Sequence, residues 1–202
     1  MNDLKLISVS GIDAEKFLQG QLCCDVRAIT PGQSSLGAHC NAKGRVMSLF
    51  QISRHDDVFH LEMPSDVIED AFIQLKKYAV FSNVKLDILP STNTDANWHQ
   101  HNIEAGIPRL YPQTIGQFLP HYLNLVKLGA VSFTKGCYTG QEIIARMQHR
   151  GKLKQQMQHL EFDLMLTLIP GETINDLGQV VDVVKIDNKQ LALIITKDNK
   201  LD

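Results

Sequence analysis

Alternation of apolar and polar residues divides the first half of the chain into short strands. Each alternating run is four to eight residues long and is bounded by polar or turn-forming residues, as in a half-buried sheet. These runs predict strands over 4–8, 36–41, 46–53, 58–63 and 84–89. The residues Asn41, Ala42, Lys43 and Gly44 favour a turn that joins the second and third runs as a hairpin.

Three segments show helical spacing instead. Asp13 can cap a short helix whose inner face carries Phe17 and Leu18. Ser65 is a natural N-cap for the clearest helix, which continues to the basic last turn at 76–77. A third helix is predicted from Trp98 to Ala105, because Gly106 and Pro108 follow it.

The chain changes character near residue 151. From Leu153 onward the apolar residues fall in short alternating runs, Pro170 and Gly171 form a turn, and a hairpin is predicted around 187–189. We therefore predict an α+β domain over 1–151, with a polar junction at 90–97, and a small all-β domain over 152–202. A tail of about fifty residues is small for an independent core, so we expect it to pack on the first domain or on a partner.

Composition places the chain among ordinary globular proteins. Of its 202 residues 44% are hydrophobic and 21% are charged, and the formal net charge is −2. This composition excludes disordered and fibrous classes and argues against a strong overall attraction to polyanions. No apolar run reaches the length of a membrane helix and no signal peptide is visible, so we expect no membrane partner and a cytoplasmic location.

The four cysteines show neither zinc-finger nor Cys-x-x-Cys spacing. Reduced thiols are therefore expected, with Cys23, Cys24 and Cys40 as small buried side chains. Cys137 differs because it lies in the octad, the segment Lys135-Gly136-Cys137-Tyr138-Thr139-Gly140-Gln141-Glu142.

The octad combines a cysteine with the predicted start of a helix. Thr139 and Glu142 have capping-box spacing, which would put Cys137 just before a helix N-terminus, and Lys135 adds positive charge nearby. Both effects stabilise a thiolate. Cys137 could then be a nucleophile, a sulfur carrier or an iron–sulfur ligand. The alternative is a glycine-rich turn that contains an incidental cysteine.

Basic residues follow the octad at the predicted end of its helix. They are Arg146, His149, Arg150, Lys152 and Lys154. Cations at this end complement the negative end of the helix dipole. The alternative, more specific role is contact with a local anion or an RNA phosphate.

The octad closely resembles the signature of the YgfZ family, whose members are similar to the T-protein, the aminomethyltransferase of glycine cleavage. Further matching stretches occur in the same order and extend the resemblance over about residues 4–151. These stretches are 11–21, 38–44, 76–82, 102–106, 116–120, 124–125, 145–146 and 150–151.

The resemblance implies a fold, a ligand and a role. The fold is an aminomethyltransferase-like α+β domain with antiparallel sheets, followed by a truncated β-barrel domain. The ligand is tetrahydrofolate or a derivative. The role is maintenance of iron–sulfur enzymes and tRNA modification. An iron–sulfur cluster would be bound transiently at most, and the resemblance leaves open whether the protein contacts tRNA directly. The implied catalytic residues are Cys137 and Lys135, and the implied folate-binding residues are Trp98, Glu104, Tyr138, Gln141 and Glu142.

Two departures from the family pattern bear on folate binding. The chain passes through the 90–97 junction where relatives carry a further α/β segment, and Leu4 stands where relatives place a second tryptophan. One stacking wall of the folate site is then absent or comes from a second chain, and the open edges of a shortened C-terminal domain favour a homodimer.

Three functions follow from these observations. The first is a YgfZ-like folate-binding accessory protein that acts on iron–sulfur client enzymes through Cys137. The second is a binding or scaffold module without folate. The third is a true aminomethyltransferase, which is disfavoured because Ser48 and Leu49 occupy the positions of the T-protein's paired aspartates.

Overall fold

The computed structural model describes residues 3–149, 153, 155–175 and 177–197. The predicted end of the octad helix at Gly151, the proposed domain boundary and the basic residues Arg150, Lys152 and Lys154 lie outside these residues. None of the helices in the described part of the chain has the length and apolar character needed to cross a membrane.

The first half of the chain forms a five-stranded antiparallel sheet, in which every predicted strand is present. Its strands are β1 (Leu4–Ser10), β2 (Ser34–Cys40), β3 (Val46–His55), β4 (Val58–Pro64) and β5 (Lys85–Pro90). They lie in the order β2-β3-β4-β1-β5, and the predicted hairpin pairs β2 with β3. This mixture of helices with antiparallel sheet confirms the predicted α+β class.

Two helices cover one face of this sheet. They are α1 (Ala14–Gln21) and α2 (Ile68–Ala79). Their buried residues pack with inward-facing residues of β1, β3 and β4 in a cluster that we call the helix-face core. Burying this much apolar surface outweighs the cost of ordering the two short helices.

Neither of these two helices has the side-chain cap that its sequence predicts, although Asp13 does occupy the N-cap position of α1. Asp13 stands at the N-cap of α1 but makes no side-chain cap, because its carboxylate accepts from the Asn83 amide at 2.8 Å. Helix α2 begins at Ile68, three residues after Ser65, whose hydroxyl instead donates to the Asp3 carboxylate. In both cases a long-range partner takes the side chain that local spacing assigned to a cap.

The remaining elements lie on the opposite face of the sheet. They are α3 (Trp98–Glu104), α4 (Gln141–His149) and a second antiparallel sheet of β6 (Gln155–Asp163), β7 (Thr173–Ile174), β8 (Gly178–Ile186) and β9 (Lys189–Lys197), in the order β6-β9-β8-β7. Short 3-10 turns lie at Val26–Ala28 and Pro112–Thr114. The predicted tail hairpin is β8–β9.

A single cluster joins the two sheets, and we call it the central core. It contains Cys23, Cys40 and Leu49 from the first half of the chain together with Met157, Val181 and Leu193 from the second sheet. The C-terminal sheet therefore packs on the first part of the chain, as expected for a β tail too small to bury its own core. A separate domain over 152–202 and a homodimer stay predictions.

His39 is an unusual buried group in β2. Its side chain is 2% exposed and lies edge-on to Tyr78 of α2 at 6.4 Å between ring centroids. Neither ring nitrogen has a hydrogen-bond partner among the described residues, and the same holds for the hydroxyl of Ser48, which pairs with His39 across the strands. Burial lowers the pKa of His39 to about 4.

We predict that His39 makes the fold acid-sensitive. A histidine whose folded pKa is depressed contributes stability above the unfolded pKa of about 6.5, and that stability is lost as pH falls toward 4. Between pH 7 and pH 5 the loss should be about 2 kcal/mol. Urea unfolding at both pH values should show this decrease in the parent and a smaller one in His39→Gln. Equal decreases in the two proteins would show that His39 is not the responsible group.

Candidate functional site

The octad forms a loop that leads into α4, and its shape requires glycine at one position. Gly140 has a φ of +83°, and a Cβ there would come within 2.5 Å of the Asn41 carbonyl oxygen. Only glycine combines this backbone conformation with so close an approach. The loop therefore rests directly on the turn between β2 and β3.

Lys135 fastens the beginning of the octad to the connection between α1 and β2. Its side chain is buried, and the ammonium donates to the carbonyl oxygens of Leu22 and Cys24, both at 2.8 Å. The ammonium also lies 5.0 Å from the centroid of the Tyr138 ring. Burial lowers the pKa of Lys135, and the two carbonyls and the ring face compensate the buried cation.

Backbone hydrogen bonds fasten the loop on both sides of Cys137. Before the octad, the Ser132 amide donates to the Cys23 carbonyl at 2.8 Å, and after Cys137 the Thr139 amide donates to the Gly20 carbonyl at 3.2 Å. Tyr138 is buried in the central core. The last turn of α1 and the connection that follows it are therefore the platform for the part of the loop that carries Cys137.

Cys137 is the exposed member of the four cysteines, and the other three are buried as predicted. Its neighbour Gly136 is also exposed, and a Cβ there would meet no atom within 4 Å. The thiol thus lies at the open side of a loop whose two ends are fixed. Lys135 directs its ammonium toward Leu22 and Cys24, so its recorded hydrogen bonds serve the loop's anchorage.

The predicted capping box at the octad is wrong. Helix α4 begins at Gln141, and the Thr139 hydroxyl lies 3.4 Å from the side-chain oxygen of Gln21. Glu142 reaches forward along the helix to Arg146 at 2.8 Å. Cys137 consequently lies four residues before the first helical residue, so the helix dipole acts on it from farther away than the spacing implied.

A cavity of about 360 Å³ lies elsewhere, between the first sheet and α3. Its apolar lining includes Leu4, Leu36, Leu49, Phe50 and Met63, and its polar lining includes Glu62, Asp95, His101, Asn102 and Arg109, with Trp98 on the wall formed by α3. The lining thus combines apolar side chains with nearly as many polar ones, and the cavity volume is within the usual range of small-molecule sites.

Arg109 and Trp98 form the aromatic and cationic wall of this cavity. The Arg109 guanidinium lies 5.8 Å from the Trp98 ring centroid and 4.4 Å from that of Tyr111, and it pairs with the Asp66 carboxylate. Trp98 is half-buried, so part of its indole faces the cavity. The wall can stack on a flat ring and attract an anion.

Two carboxylates that the sequence analysis did not single out also line the cavity. Glu62 accepts hydrogen bonds from Ser91 and from Asn93, the latter at 3.1 Å. Asp95 bonds to His101 at 2.7 Å, and this hydrogen bond lowers the pKa of Asp95. Glu62 is 36 residues before Trp98 in the sequence, and Asp95 lies in the polar 90–97 junction, so no local spacing pattern connects the two carboxylates with the cavity.

The buried carboxylate of Asp182 connects this wall to the C-terminal sheet. Its side chain is fully buried in β8, and it accepts from His99 at 2.9 Å, from the Tyr111 hydroxyl at 2.6 Å and from the Arg109 amide at 2.9 Å. Burial and this neighbouring charge raise the pKa of Tyr111 well above its ordinary value, which keeps the hydroxyl protonated as a donor. We call this network the Asp182 latch.

The sequence-predicted residues thus fall into two places. Trp98 lines the cavity, and so does Leu4, at which the sequence analysis expects the family's second tryptophan. The cavity lining does not include Glu104, Tyr138, Gln141 or Glu142. Glu104 is exposed and accepts from Gln100 at 2.9 Å, whereas the other three belong to the octad loop and its helix.

No described group of three histidine, cysteine or carboxylate side chains is arranged to hold a metal ion. In the octad, Cys137 is accompanied by the exposed Glu142, whose carboxylate is paired with Arg146. The described residues therefore offer a single thiol at the surface and a separate cavity for an organic ligand.

Comparison with known proteins places the chain in a family. No family model matches it. It is 30% identical to the tRNA-modifying protein YgfZ of Klebsiella pneumoniae, in an alignment that covers the whole of this chain and 85% of that protein. The chain belongs to the YgfZ family. The YgfZ of Vibrio atlanticus is 29% identical over 98% of this chain, and an uncharacterized protein of Haemophilus influenzae is 35% identical over 78% of it.

The family resemblance extends to the fold. The structure matches the glycine cleavage system aminomethyltransferase T of Bartonella henselae with a TM-score of 0.72, covering 96% of this chain and 76% of that one. At 15% sequence identity this match shows the fold alone. It confirms the predicted aminomethyltransferase-like fold.

This YgfZ family member is shorter than its relatives within the aligned region. The alignment with the Klebsiella pneumoniae protein runs over 278 positions, 76 more than the 202 residues of this chain. At least that many positions of the relative therefore have no counterpart here. The short 90–97 junction stays our prediction for where such a segment is missing.

We predict that Asp182→Asn loosens the Trp98 wall. An amide cannot accept from all of the donors that surround the carboxylate, and a buried unsatisfied donor costs about 1–3 kcal/mol. Urea unfolding should show this loss, and Trp98 emission in the native protein should shift to the red. Asp187→Asn is the matched control, because Asp187 lies exposed in the turn of the same hairpin with a φ of +50°, which asparagine tolerates. If both variants behave alike, the latch is not what holds the wall.

Proposed function

We propose that this YgfZ family member is a folate-binding accessory protein that supports iron–sulfur enzymes and tRNA modification through Cys137. The observation that carries the proposal is the presentation of Cys137. It is exposed on a loop that is anchored by the buried Lys135 ammonium, whereas the other three cysteines are buried.

An anchored, exposed thiol suits chemistry on a large partner. The loop positions are fixed before and after Cys137, so the sulfur can meet a client protein without first ordering its own backbone. Because Cys23, Cys24 and Cys40 are buried, a cluster or sulfur species handled at Cys137 takes its other ligands from the client. This arrangement accords with a transient cluster rather than a resident one.

The cavity suits a tetrahydrofolate-type ligand. Trp98 offers a face for a flat pterin ring, and Glu62 and Asp95 offer acceptors for the N–H edge of an aminopyrimidine. Arg109 offers a guanidinium to the carboxylates of the glutamyl tail. A bound tetrahydrofolate would supply a carrier for one-carbon units, and these residues would bind and orient it.

The thiol and the cavity are separate sites that share a structural layer. Leu36 and Leu49 line the cavity and also pack in or against the central core, which includes Tyr138 of the octad. We propose that a folate ligand acts on the octad through this layer, by holding the sheet and the Trp98 wall in place. Direct chemistry between the ligand and Cys137 is not part of the proposal, because the octad does not line the cavity.

A scaffold module without folate is the second candidate, and Leu4 is the observation that favours it. Leu4 lines the cavity, and the family resemblance implies a tryptophan at this position, so an aliphatic wall would replace an aromatic one. Aromatic stacking contributes on the order of 1 kcal/mol, which corresponds to a roughly fivefold loss of affinity.

Aminomethyl transfer stays disfavoured. The hydroxyl of Ser48 is buried on the opposite face of β3 from the cavity, and Leu49 gives the cavity an apolar side chain. Neither residue can handle the amine proton as a carboxylate would.

The thiol is tested by complementation. Cys137→Ser should fail to rescue the growth and tRNA-modification defects of a strain that lacks its YgfZ, because serine retains the shape but not the sulfur. The variant should melt at the temperature of the parent, since Cys137 is exposed. Cys24→Ala is the matched control and should rescue. Full rescue by Cys137→Ser would show that the thiol is not the working group.

The cavity is tested by the fluorescence of Trp98, the sole tryptophan. Titration with a tetrahydrofolate should quench its emission saturably, and Arg109→Gln should weaken binding. Glu104→Gln should not, because Glu104 does not line the cavity. By calorimetry, Leu4→Trp should strengthen binding about fivefold. Absence of saturable quenching together with no heat of binding in Leu4→Trp would favour the scaffold function.

A further inference from the structure

Cys23 and Cys40 form a buried pair of thiols beneath the octad. Their sulfur atoms are 3.4 Å apart, and both side chains are fully buried in the central core. The Cys23 amide donates to the Ala38 carbonyl at 2.8 Å, and Leu22 pairs with His39, so Cys23 lies diagonally opposite Cys40 on the same face. The register of β2 against β3 shifts between His39 and Cys40, at the edge of this contact.

The neighbouring Cys24 lies on the other side of the chain. It packs in the helix-face core, where its sulfur would be 3.1 Å from a Cβ at Gly37. Cys24 is as buried as Cys23 but has its own surroundings, since alternate residues of an extended segment point to opposite faces. The chain therefore contains an internal control for any chemistry of the pair.

We propose that Cys23 and Cys40 are a redox-active dithiol that a hydroperoxide converts to an intramolecular disulfide. One thiol is oxidised by the peroxide to a sulfenic acid with release of the reduced oxygen as water. The second sulfur then attacks the sulfenic sulfur, the S–O bond breaks, and a second water leaves with the remaining proton. In total, two thiols and one molecule of hydrogen peroxide give one disulfide and two molecules of water.

Two features of the site favour this oxidant and this product. Hydrogen peroxide is close to water in size, so a brief local opening of the core admits it where larger disulfides are excluded. The sulfurs need to approach from 3.4 Å to about 2.05 Å, a movement that side-chain rotation can supply. The hydrogen bond between the two sulfurs and burial raise the pKa of Cys23, so this group rests as a thiol until an oxidant arrives.

The disulfide would act on the platform of the octad. Cys23 accepts from the Ser132 amide, and the carbonyls on either side of it, Leu22 and Cys24, hold the Lys135 ammonium. A covalent link to β2 would fix this three-residue segment and with it the anchorage of the loop that carries Cys137. The link is a chemical property of the buried pair, and its test does not depend on the proposed function.

The test uses the full chain and hydrogen peroxide. Native protein is first treated with N-ethylmaleimide to block exposed Cys137, then with a small excess of peroxide, then unfolded and alkylated with a second reagent. Intact mass and peptide mapping should show a loss of two hydrogen atoms and a Cys23–Cys40 link that dithiothreitol reverses. The linked protein should melt about 5 °C or more above the reduced one, because the link constrains the unfolded chain.

Variants assign the link. Cys24→Ala should form it as the parent does, and Cys40→Ala should not form it. If Cys40→Ala fails to fold, the mapping in Cys24→Ala still decides, because that variant retains the intact pair. The proposal is overturned if the pair stays reduced, if its sulfurs gain oxygen without joining, or if the link maps to Cys24.

Discussion

The structure around the octad depends on one buried cation. The ammonium of Lys135 needs hydrogen-bond acceptors because it is removed from water, and it finds them in the carbonyls of Leu22 and Cys24. Those carbonyls belong to the connection between α1 and β2, more than a hundred residues away in sequence. These two hydrogen bonds join the octad to the segment between the first helix and the first hairpin. The exposed position of Cys137 follows from that attachment.

The same part of the molecule connects three features that the chain keeps apart. The central core holds the Cys23–Cys40 pair, contributes Leu49 to the cavity and contains Tyr138 of the octad. At the Trp98 wall of the cavity, the Asp182 latch connects that wall to the C-terminal sheet. A ligand in the cavity, a change in the dithiol and a client at Cys137 would therefore act on adjoining layers of one core, whose close packing transmits small displacements.

The strands could be predicted from sequence because alternation reflects burial on a sheet, and every predicted strand is present. The caps could not, because they depend on which polar partner is nearest in space: Asp13 turns to Asn83, and Thr139 lies beside Gln21. The octad motif was sufficient to locate the exposed thiol. The partners of the Lys135 ammonium could not be predicted from the sequence, because they lie more than a hundred residues away. Arg109 and Asp182 carried no local signal, since their roles arise from elements that meet only after folding.

The most direct test of the central claim is hydrogen exchange in Lys135→Met, which keeps the length and apolar stem of the side chain but removes its donors. We expect the Ser132 and Thr139 amides, which donate to the carbonyls of Cys23 and Gly20, to lose protection while the strands of the first sheet keep theirs. Lys43→Met, at an exposed lysine in the adjoining turn, should change neither amide. Unchanged protection of both amides in Lys135→Met would contradict the claim that this ammonium holds the octad in place.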